Sequence, residues 1–237
     1  MNKKIIRQTK DKRNKVKNMF DKISGKYDFL NHLLSGGMDF YWRNFALKKS
    51  SFTKQSILLD VACGTGDFSK AATKFGVTNI TGVDLSKEML KLYNKKNISP
   101  SATCLQCEAE LLPFKDNTFT NISVAFGVRN FHNIEKGFQN FYRVLKNNGQ
   151  VTILEFSLPK NKFIKFIYLF YFKNILPIIG KIISRDKNAY EYLPDSVMEF
   201  DRHINLPEML TNLGFKKVKL INLTFGLVQI VIANKEI

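Results

Sequence analysis

The residues best suited to bind a nucleoside lie in the segment 59–67, where an apolar run ends in the turn Gly64-Thr65-Gly66. Glycine at the first and third positions lets the backbone turn tightly and approach a ligand closely. Asp84 ends the next apolar run, where its carboxylate can accept hydrogen bonds from both ribose hydroxyls. A glycine turn after one predicted strand, with an acid at the end of the next, is more specific than the glycines alone. The pattern therefore predicts a nucleoside-binding site.

The residues that follow argue against a dinucleotide as the ligand. Ser69 stands where a dinucleotide-binding helix has its third small residue, and Asp67 would bring negative charge close to a pyrophosphate. An acid is compatible with S-adenosyl-L-methionine, which carries a cationic sulfonium and no phosphate. Glu108 and Ala109 come just after the third predicted strand, where they can border an adenine. We therefore predict S-adenosyl-L-methionine as the cofactor.

The cysteines and histidines do not form a metal-binding pattern. Cys104 and Cys107 have the spacing of half a zinc site, but the third cysteine is Cys63 and the three histidines are scattered. Reduced thiols in a cytosolic protein explain these cysteines better. No metal is predicted.

The order of apolar runs and amphipathic stretches predicts the elements that position these residues. Strands are predicted at Ile57–Val61, Asn79–Asp84, 102–106, 121–125, 150–156, 218–223 and 228–233. Helices are predicted at 13–35, 67–75, 86–97, 134–145 and 207–213. Strands that alternate with helices are typical of an α/β fold, here a doubly wound, Rossmann-like parallel sheet. We expect one domain over 1–237, with an N-terminal helical segment over 1–50 and an inserted cap over 158–205.

The positive charge of the chain is concentrated in two segments. Lys and Arg number 37 against 20 Asp and Glu, and of the net charge of +17 residues 1–26 carry +8 and residues 159–190 carry +6. The second segment is also strongly apolar, but lysines, Pro177 and Gly180 interrupt it, so it lacks the roughly 20 apolar residues that span a bilayer. Basic and apolar residues together fit a segment lying at an anionic membrane surface. A core-packing helical hairpin with solvated lysines fits equally well.

Two stretches of the sequence resemble the signatures of a known family. Residues 27–35 read YDFLNHLLS and are followed by Trp42, while residues 143–149 read RVLKNNG and run on to EFS at 155–157. Both are similar to signatures of the ubiquinone/menaquinone-biosynthesis C-methyltransferases (the UbiE/MenG family) within the class I S-adenosylmethionine-dependent methyltransferases. Asp39 departs from the first signature, which usually has His at that position.

The resemblance covers the chain from about residue 12 to its end and implies both a site and a reaction. In the family, the residues that match Thr65, Asp84, Glu108 and Ala109 contact S-adenosyl-L-methionine. The implied reaction transfers a methyl group to a ring carbon of a polyprenyl quinol. Demethylmenaquinol is the first candidate substrate, and 2-polyprenyl-6-methoxy-1,4-benzoquinol is the second.

Several residues are candidates for contact with this second substrate. A ring carbon becomes a good nucleophile when a ring hydroxyl loses its proton, and the permanent charge of Arg129 could stabilise that oxyanion. Asn130 could position a water or a hydroxyl, and His132 is a weaker candidate for the base. Tyr27 and Asn31 lie four residues apart on one helix face and could close over the ring. Purely structural roles for Arg129 and Tyr27 remain open.

Two other functions remain open at this point. The net charge would suit an RNA or DNA methyltransferase of the same fold. Residues 125–128 read AFGV, however, where an enzyme that methylates an amino group would have an Asn/Asp-Pro-Pro-aromatic turn. No cysteine follows Cys107 to act as the nucleophile of a 5-methylcytosine enzyme. The other is a non-catalytic membrane-binding module with a vestigial cofactor site. We expect instead an enzyme at the inner face of the cytoplasmic membrane, without a nucleic-acid partner, and with a homodimer as one oligomeric option.

Overall fold

The helices of the computed structural model follow the predicted order. The structure describes residues 3–175 and 187–236, with side chains over 13–175 and 192–236. Helix α1 begins at Lys3 instead of residue 13, since the charged residues before 13 give no apolar periodicity. The helices are α1 (Lys3–Leu34), α2 (Met38–Lys49), α3 (Asp67–Thr73), α4 (Lys87–Lys95), α5 (Ile134–Val144), α6 (Lys162–Phe170), α7 (Lys187–His203) and α8 (Leu206–Asn212).

The sheet has the order β3-β2-β1-β4-β5-β7-β6, which confirms the predicted Rossmann-like α/β fold. The strands are β1 (Ile57–Val61), β2 (Asn79–Asp84), β3 (Thr103–Gln106), β4 (Phe119–Ala125), β5 (Leu145–Phe156), β6 (Lys216–Leu223) and β7 (Val228–Asn234). The prediction of a parallel sheet holds for β1 to β5, but β7 runs antiparallel to both β5 and β6. The short turn Thr224–Gly226 joins β6 to β7, and such a short connection permits antiparallel pairing alone.

Buried side chains form two clusters around the sheet. One includes Phe138 and Phe141 of α5 and Leu210 of α8, and the other includes Trp42 of α2 and Tyr93 of α4. Helices thus cover the strands with apolar side chains, as a doubly wound sheet requires. This packing fixes the ends of β1, β2 and β4, from which the candidate site is built.

Helix α1 lies across the loops that follow β1 and β2. Asp21 accepts a hydrogen bond from the hydroxyl of Ser86, the N-cap of α4 (2.5 Å). About two turns further on, Asp28 accepts one from the hydroxyl of Thr65 (2.6 Å). The helix therefore closes the sheet end where the candidate cofactor residues lie.

The segment predicted as a cap contains α6, a π-helical stretch over Tyr171–Ile175, and α7. Residues 176–186, which include Pro177 and Gly180 of the apolar run, lie outside the described residues. A third apolar cluster joins this segment to α1 through side chains that include Ile23, Leu30, Tyr168, Phe172 and Val197. Within the described part of the chain, no helix has the length and apolarity needed to cross a membrane.

Candidate active site

The loop after β1 is anchored by Asp60. Its buried carboxylate accepts hydrogen bonds from the hydroxyls of Ser69 (2.6 Å) and Ser123 (2.8 Å), and burial raises the pKa of Asp60 to about 6. Gly66 has φ +91°, and a Cβ at this position would clash with the side chains of Ile98 and Tyr93. The glycine is thus required both by its left-handed backbone and by close packing.

Asp84 connects this loop to the end of β2. Its Oδ2 accepts a hydrogen bond from the backbone N–H of Gly64 (2.8 Å) and its Oδ1 accepts one from the N–H of Ser86 (2.8 Å). Burial is the largest cause that raises the pKa of Asp84, to about 6, although these hydrogen bonds oppose it. Each carboxylate oxygen retains a lone pair, so Asp84 can still accept from the two hydroxyls of a ribose.

A cavity at the ends of β1, β2 and β4, here called the cofactor cavity, brings most of the predicted cofactor residues together. Among the predicted site residues, those that line it are Tyr27, Gly64, Asp84, Glu108, Ala109 and Asn130. His132 lines it too. The carboxylate of Asp84 and the exposed backbone of the turn therefore fit the nucleoside part of S-adenosyl-L-methionine.

Thr65 and Gly66 are part of the same turn but do not line this cavity. The buried Thr65 hydroxyl donates to Asp28 and accepts from Lys96 Nζ (2.9 Å). Lys96 also pairs with Asp67, whose carboxylate lies 3.6 Å from Arg43. The negative charge of Asp67 is thus compensated by two cations, which weakens the argument that this charge excludes a dinucleotide and leaves the cofactor prediction to the other residues.

Glu108 lies at the cavity and forms an ion pair with Arg13 of α1. Arg13 also lines the cavity, so the helix covers the cofactor cavity with a charged side chain. Neither this residue nor Asp28 was predicted from the sequence. The charged residues of α1 are visible in the sequence. The sequence does not show that Arg13 pairs with Glu108 or that Asp28 pairs with Thr65, because these partners are far away in the chain.

A second cavity, here called the apolar cavity, lies between α1, α2 and the cap segment and has a volume of about 230 Å³. Its lining includes Ile23, Trp42, Phe156, Phe172 and Leu193, together with the predicted residues Asn31 and Arg129. Phe20, Tyr27 and Phe126 line both cavities. The two cavities therefore meet at one wall.

Tyr27 stands in this wall and is hydrogen-bonded to the side chain of Asn31. Burial is the main cause that raises the pKa of the Tyr27 phenol, while the charge of Arg129 opposes it. The predicted pair therefore does share a helix face, with Tyr27 at the junction and Asn31 in the apolar cavity.

Arg129 is held rigidly at the edge of the apolar cavity. Its Nη1 donates to the carbonyl of Phe126 (2.6 Å) and to the buried carboxylate of Glu155 (2.7 Å), and its guanidinium lies over the ring of Phe156. The negative charge of Glu155 raises the pKa of Arg129 despite burial. The next residue, Asn130, accepts a hydrogen bond from the hydroxyl of Tyr192 (2.9 Å).

One group of metal-ligand type lies beside the site. Side-chain atoms of His32, Asp39 and Asp67 approach within 4.8 Å of one another. Arg43 pairs with Asp39, and Lys96 pairs with Asp67. These cations already compensate the carboxylates, so we interpret the group as an ion-pair network.

Comparison with known proteins finds similar sequences over nearly the whole chain. The model of the ubiE/COQ5 methyltransferase family matches residues 7–235. The demethylmenaquinone methyltransferase of Chlorobaculum tepidum is 43% identical over 94% of this chain and 92% of its own. The ubiquinone/menaquinone biosynthesis C-methyltransferase UbiE of Geotalea uraniireducens is 41% identical over 95% of this chain and 98% of its own.

Solved structures with low sequence identity share the fold. An S-adenosyl-L-methionine-dependent methyltransferase from Aquifex aeolicus is 16% identical, with a TM-score of 0.60 over 84% of this chain and 92% of that one. Phosphoethanolamine N-methyltransferase 2 of Haemonchus contortus, solved with S-adenosyl-L-methionine, is 18% identical, with a TM-score of 0.60 over 82% of this chain and 52% of that one. These likenesses agree with the predicted fold class.

Proposed function

This chain belongs to the ubiE/COQ5 methyltransferase family, and on that premise we propose that it methylates a ring carbon of a polyprenyl quinol. The resemblance seen in the sequence and the prediction of an S-adenosyl-L-methionine-dependent methyltransferase are thereby confirmed. Demethylmenaquinol is the proposed substrate. The benzoquinol remains the second candidate.

The observation that carries this proposal is the contact between two cavities of different character. The cofactor cavity presents the Asp84 carboxylate and the backbone of a glycine turn, while the apolar cavity is lined mainly by aromatic and aliphatic side chains, with Asp39, Arg43 and Arg129 as its charged members. An aromatic ring with a long hydrocarbon tail fits the second lining. Since Phe20, Tyr27 and Phe126 border both, a ring in the apolar cavity can reach a group bound in the cofactor cavity.

S-adenosyl-L-methionine would supply an electrophilic methyl group; when the ring carbon bonds to it, the C–S electron pair would stay on sulfur as a neutral thioether and the proton of that carbon would pass to water. The residues of the chain orient the ring and favour its phenolate form. We assign oxyanion stabilisation to Arg129, whose guanidinium lines the apolar cavity and is fixed by Phe126 and Glu155. We assign the positioning of a water or hydroxyl to Asn130, and contact with the ring to Tyr27 and Asn31.

We also propose that the cap segment docks on an anionic membrane surface, from which the quinol enters. Phe163, Phe166, Ile167 and Phe170 of α6 are each more than half exposed and have the spacing of a single helix face. Lys162 and Lys173 flank this face and are exposed. Tyr168 of the same helix lines the apolar cavity, so a surface bound by α6 would lie next to the cavity. The enzyme would then be peripheral at the inner face of the cytoplasmic membrane.

The substrate assignment is tested with labelled S-adenosyl-L-methionine and a panel of demethylated quinols kept reduced. We expect methyl transfer to the naphthoquinol with the highest kcat/KM, and a weaker reaction or none with the benzoquinol. Transfer to tRNA or DNA, with no transfer to any quinol, would refute the proposal. Cofactor binding without turnover on every quinol would instead favour the non-catalytic module.

Membrane docking is tested by flotation with vesicles that contain anionic lipid. Replacing Lys162, Lys165 and Lys173 with Gln should weaken binding about tenfold or more at low salt, since each cation near such a surface contributes about 1 kcal/mol. Turnover of a long-tailed quinol should fall, while that of a short-tailed soluble quinol should not. The matched control removes three exposed lysines of α4 that do not line the apolar cavity: Lys87, Lys91 and Lys95. Equal losses in both triple variants would show that net charge, and not the cap, drives binding.

A further inference from the structure

Two buried polar atoms in the described part of the chain lack a hydrogen-bond partner. Among the residues whose side chains are described, they are Nε of Arg129 and the hydroxyl of Tyr168. Buried polar groups are almost always paired, because an unpaired one loses its hydrogen bonds to water and gains none in return. Both residues line the apolar cavity. Their shared position suggests a missing partner that is part of a ligand.

The surroundings of Tyr168 hold its ring in place but leave its hydroxyl free. The ring is buried and packs against Phe172 with centroids 4.3 Å apart. Burial raises the pKa of Tyr168, the charge of Arg129 lowers it, and the carboxylates of Glu155 and Asp201 raise it. The hydroxyl therefore lies within the electrostatic reach of Arg129, although the two residues come from different parts of the chain.

The chemistry of the two atoms restricts what can join them. Nε of arginine is a donor only, whereas a tyrosine hydroxyl can donate or accept. A shared partner must therefore be an acceptor. Because Glu155 already compensates the guanidinium charge through Nη1, the pair does not require an anion, and it can hold a neutral oxygen that later gains negative charge.

We propose that Tyr168 and Arg129 form a binding site for one ring oxygen of the quinol, with the Tyr168 hydroxyl and Arg129 Nε–H as its two donors. This inference rests on the proposed function and adds to it a residue of the cap that touches the substrate. Two donors at one oxygen stabilise the phenolate more than the phenol, so this site favours the nucleophilic form of the ring.

The experiment uses a 2-alkyl-1-naphthol, which keeps one ring hydroxyl, as the probe with the full-length protein. Binding is followed by the fluorescence of Trp42, which lines the apolar cavity and is the one tryptophan of the sequence. Ionisation of the bound naphthol is followed by its absorbance as pH is raised. We expect the bound probe to ionise about one pH unit lower on the wild type than on Tyr168→Phe. The kcat/KM for the quinol should fall about tenfold to a hundredfold in the variant.

The thermal stability of the free protein provides a second readout. Tyr168→Phe should leave Tm unchanged or raise it, because no protein hydrogen bond is lost. The matched variant is Tyr171→Phe, which removes a hydroxyl that donates to the carbonyl of Leu34 (3.0 Å). Because Tyr171 also lines the apolar cavity, this variant serves as the reference for Tm alone, which it should lower.

The outcomes separate this inference from the proposed function. Suppose that the wild type methylates a quinol, but that the bound probe ionises at the same pH on Tyr168→Phe as on the wild type. The proposed oxygen site is then wrong, while the proposed function stands. If Tyr168→Phe lowers Tm as Tyr171→Phe does, the hydroxyl has a structural partner and the inference is also wrong. If the wild type neither binds the probe nor methylates any quinol, both are refuted.

Discussion

The cofactor cavity and the apolar cavity differ in how the chain builds them. The first is formed by loops at the ends of neighbouring strands, and its key groups, Gly64 and Asp84, are joined by a hydrogen bond of 2.8 Å. The second is formed by α1, α2 and the cap, and aromatic packing between side chains such as Tyr168 and Phe172 shapes it. On the proposed function, the cofactor would bind at the strand ends of the sheet, whereas the quinol would bind among helices packed around that sheet.

The comparison predicts that damage to one cavity leaves binding in the other intact. Tyr27 and its neighbours in the shared wall are the exception, because they border both. Variants away from the wall therefore test whether the two cavities carry separate functions.

The largest effect is expected for Arg129→Lys. Lysine keeps the charge, but its three donors share one nitrogen, so they cannot reproduce the planar guanidinium in which Nη1 bonds Phe126 and Glu155 while Nε remains a separate donor. Loss of a donor to a developing oxyanion costs about 10²–10³ in kcat. Calorimetry should show nearly unchanged affinity for S-adenosyl-L-methionine. Parallel losses in turnover and cofactor affinity would indicate that Arg129 only supports the turn around Val128–Asn130.

A comparable effect, on cofactor affinity instead of turnover, is expected for Asp84→Ala in the other cavity. The variant loses two hydrogen bonds to an ionised acceptor, each worth roughly 1.5–3 kcal/mol, so the Kd for S-adenosyl-L-methionine should rise at least about a hundredfold. The binding of a quinone that quenches Trp42 should not change. The control is Glu88→Ala, which removes an exposed carboxylate from the nearby helix α4. An Asp84→Ala protein that is folded and binds the cofactor normally would exclude Asp84 from the site.

The two cavities also differ in how far the sequence predicts them. Gly64, Asp84, Glu108 and Ala109 were predicted because each follows a strand, and parallel strands bring their carboxyl ends to one edge. The bond from Thr65 to Asp28 and the pairing of Glu108 with Arg13 depend on where α1 lies, which no local pattern encodes. Most boundaries of strands and helices were predicted to within a few residues. Strand β5 begins at Leu145 instead of the predicted residue 150, because the backbone of Leu145 pairs with Phe119 of β4.

The role of Tyr168 was beyond sequence analysis for a related reason. In the sequence it is one aromatic residue in a run of many. Only the three-dimensional packing shows that its hydroxyl is buried without a partner. Patterns predict which face of an element is apolar, but an unpaired atom is a property of the assembled fold.

The smallest predicted effect is a pH dependence confined to the cofactor cavity. The pKa of Asp84 is raised to about 6 by burial, and its ionised form is the better acceptor for ribose hydroxyls. Protonation as pH falls through 6 should therefore raise the Kd for S-adenosyl-L-methionine about tenfold between pH 7 and pH 5. Quinone binding in the apolar cavity, followed by Trp42 fluorescence, should stay constant over this range.

Loss of folding through the titration of Asp84 would not explain the weaker cofactor binding at low pH. A carboxyl whose folded pKa is raised contributes stability that is full below its unfolded pKa of 3.8 and is lost as pH rises through about 6. Asp84 thus favours the folded protein at low pH while it disfavours cofactor binding there. His132 also lines the cavity, so His132→Gln is the control and should keep the full drop in affinity. If that variant abolishes the pH dependence, Asp84 does not carry it.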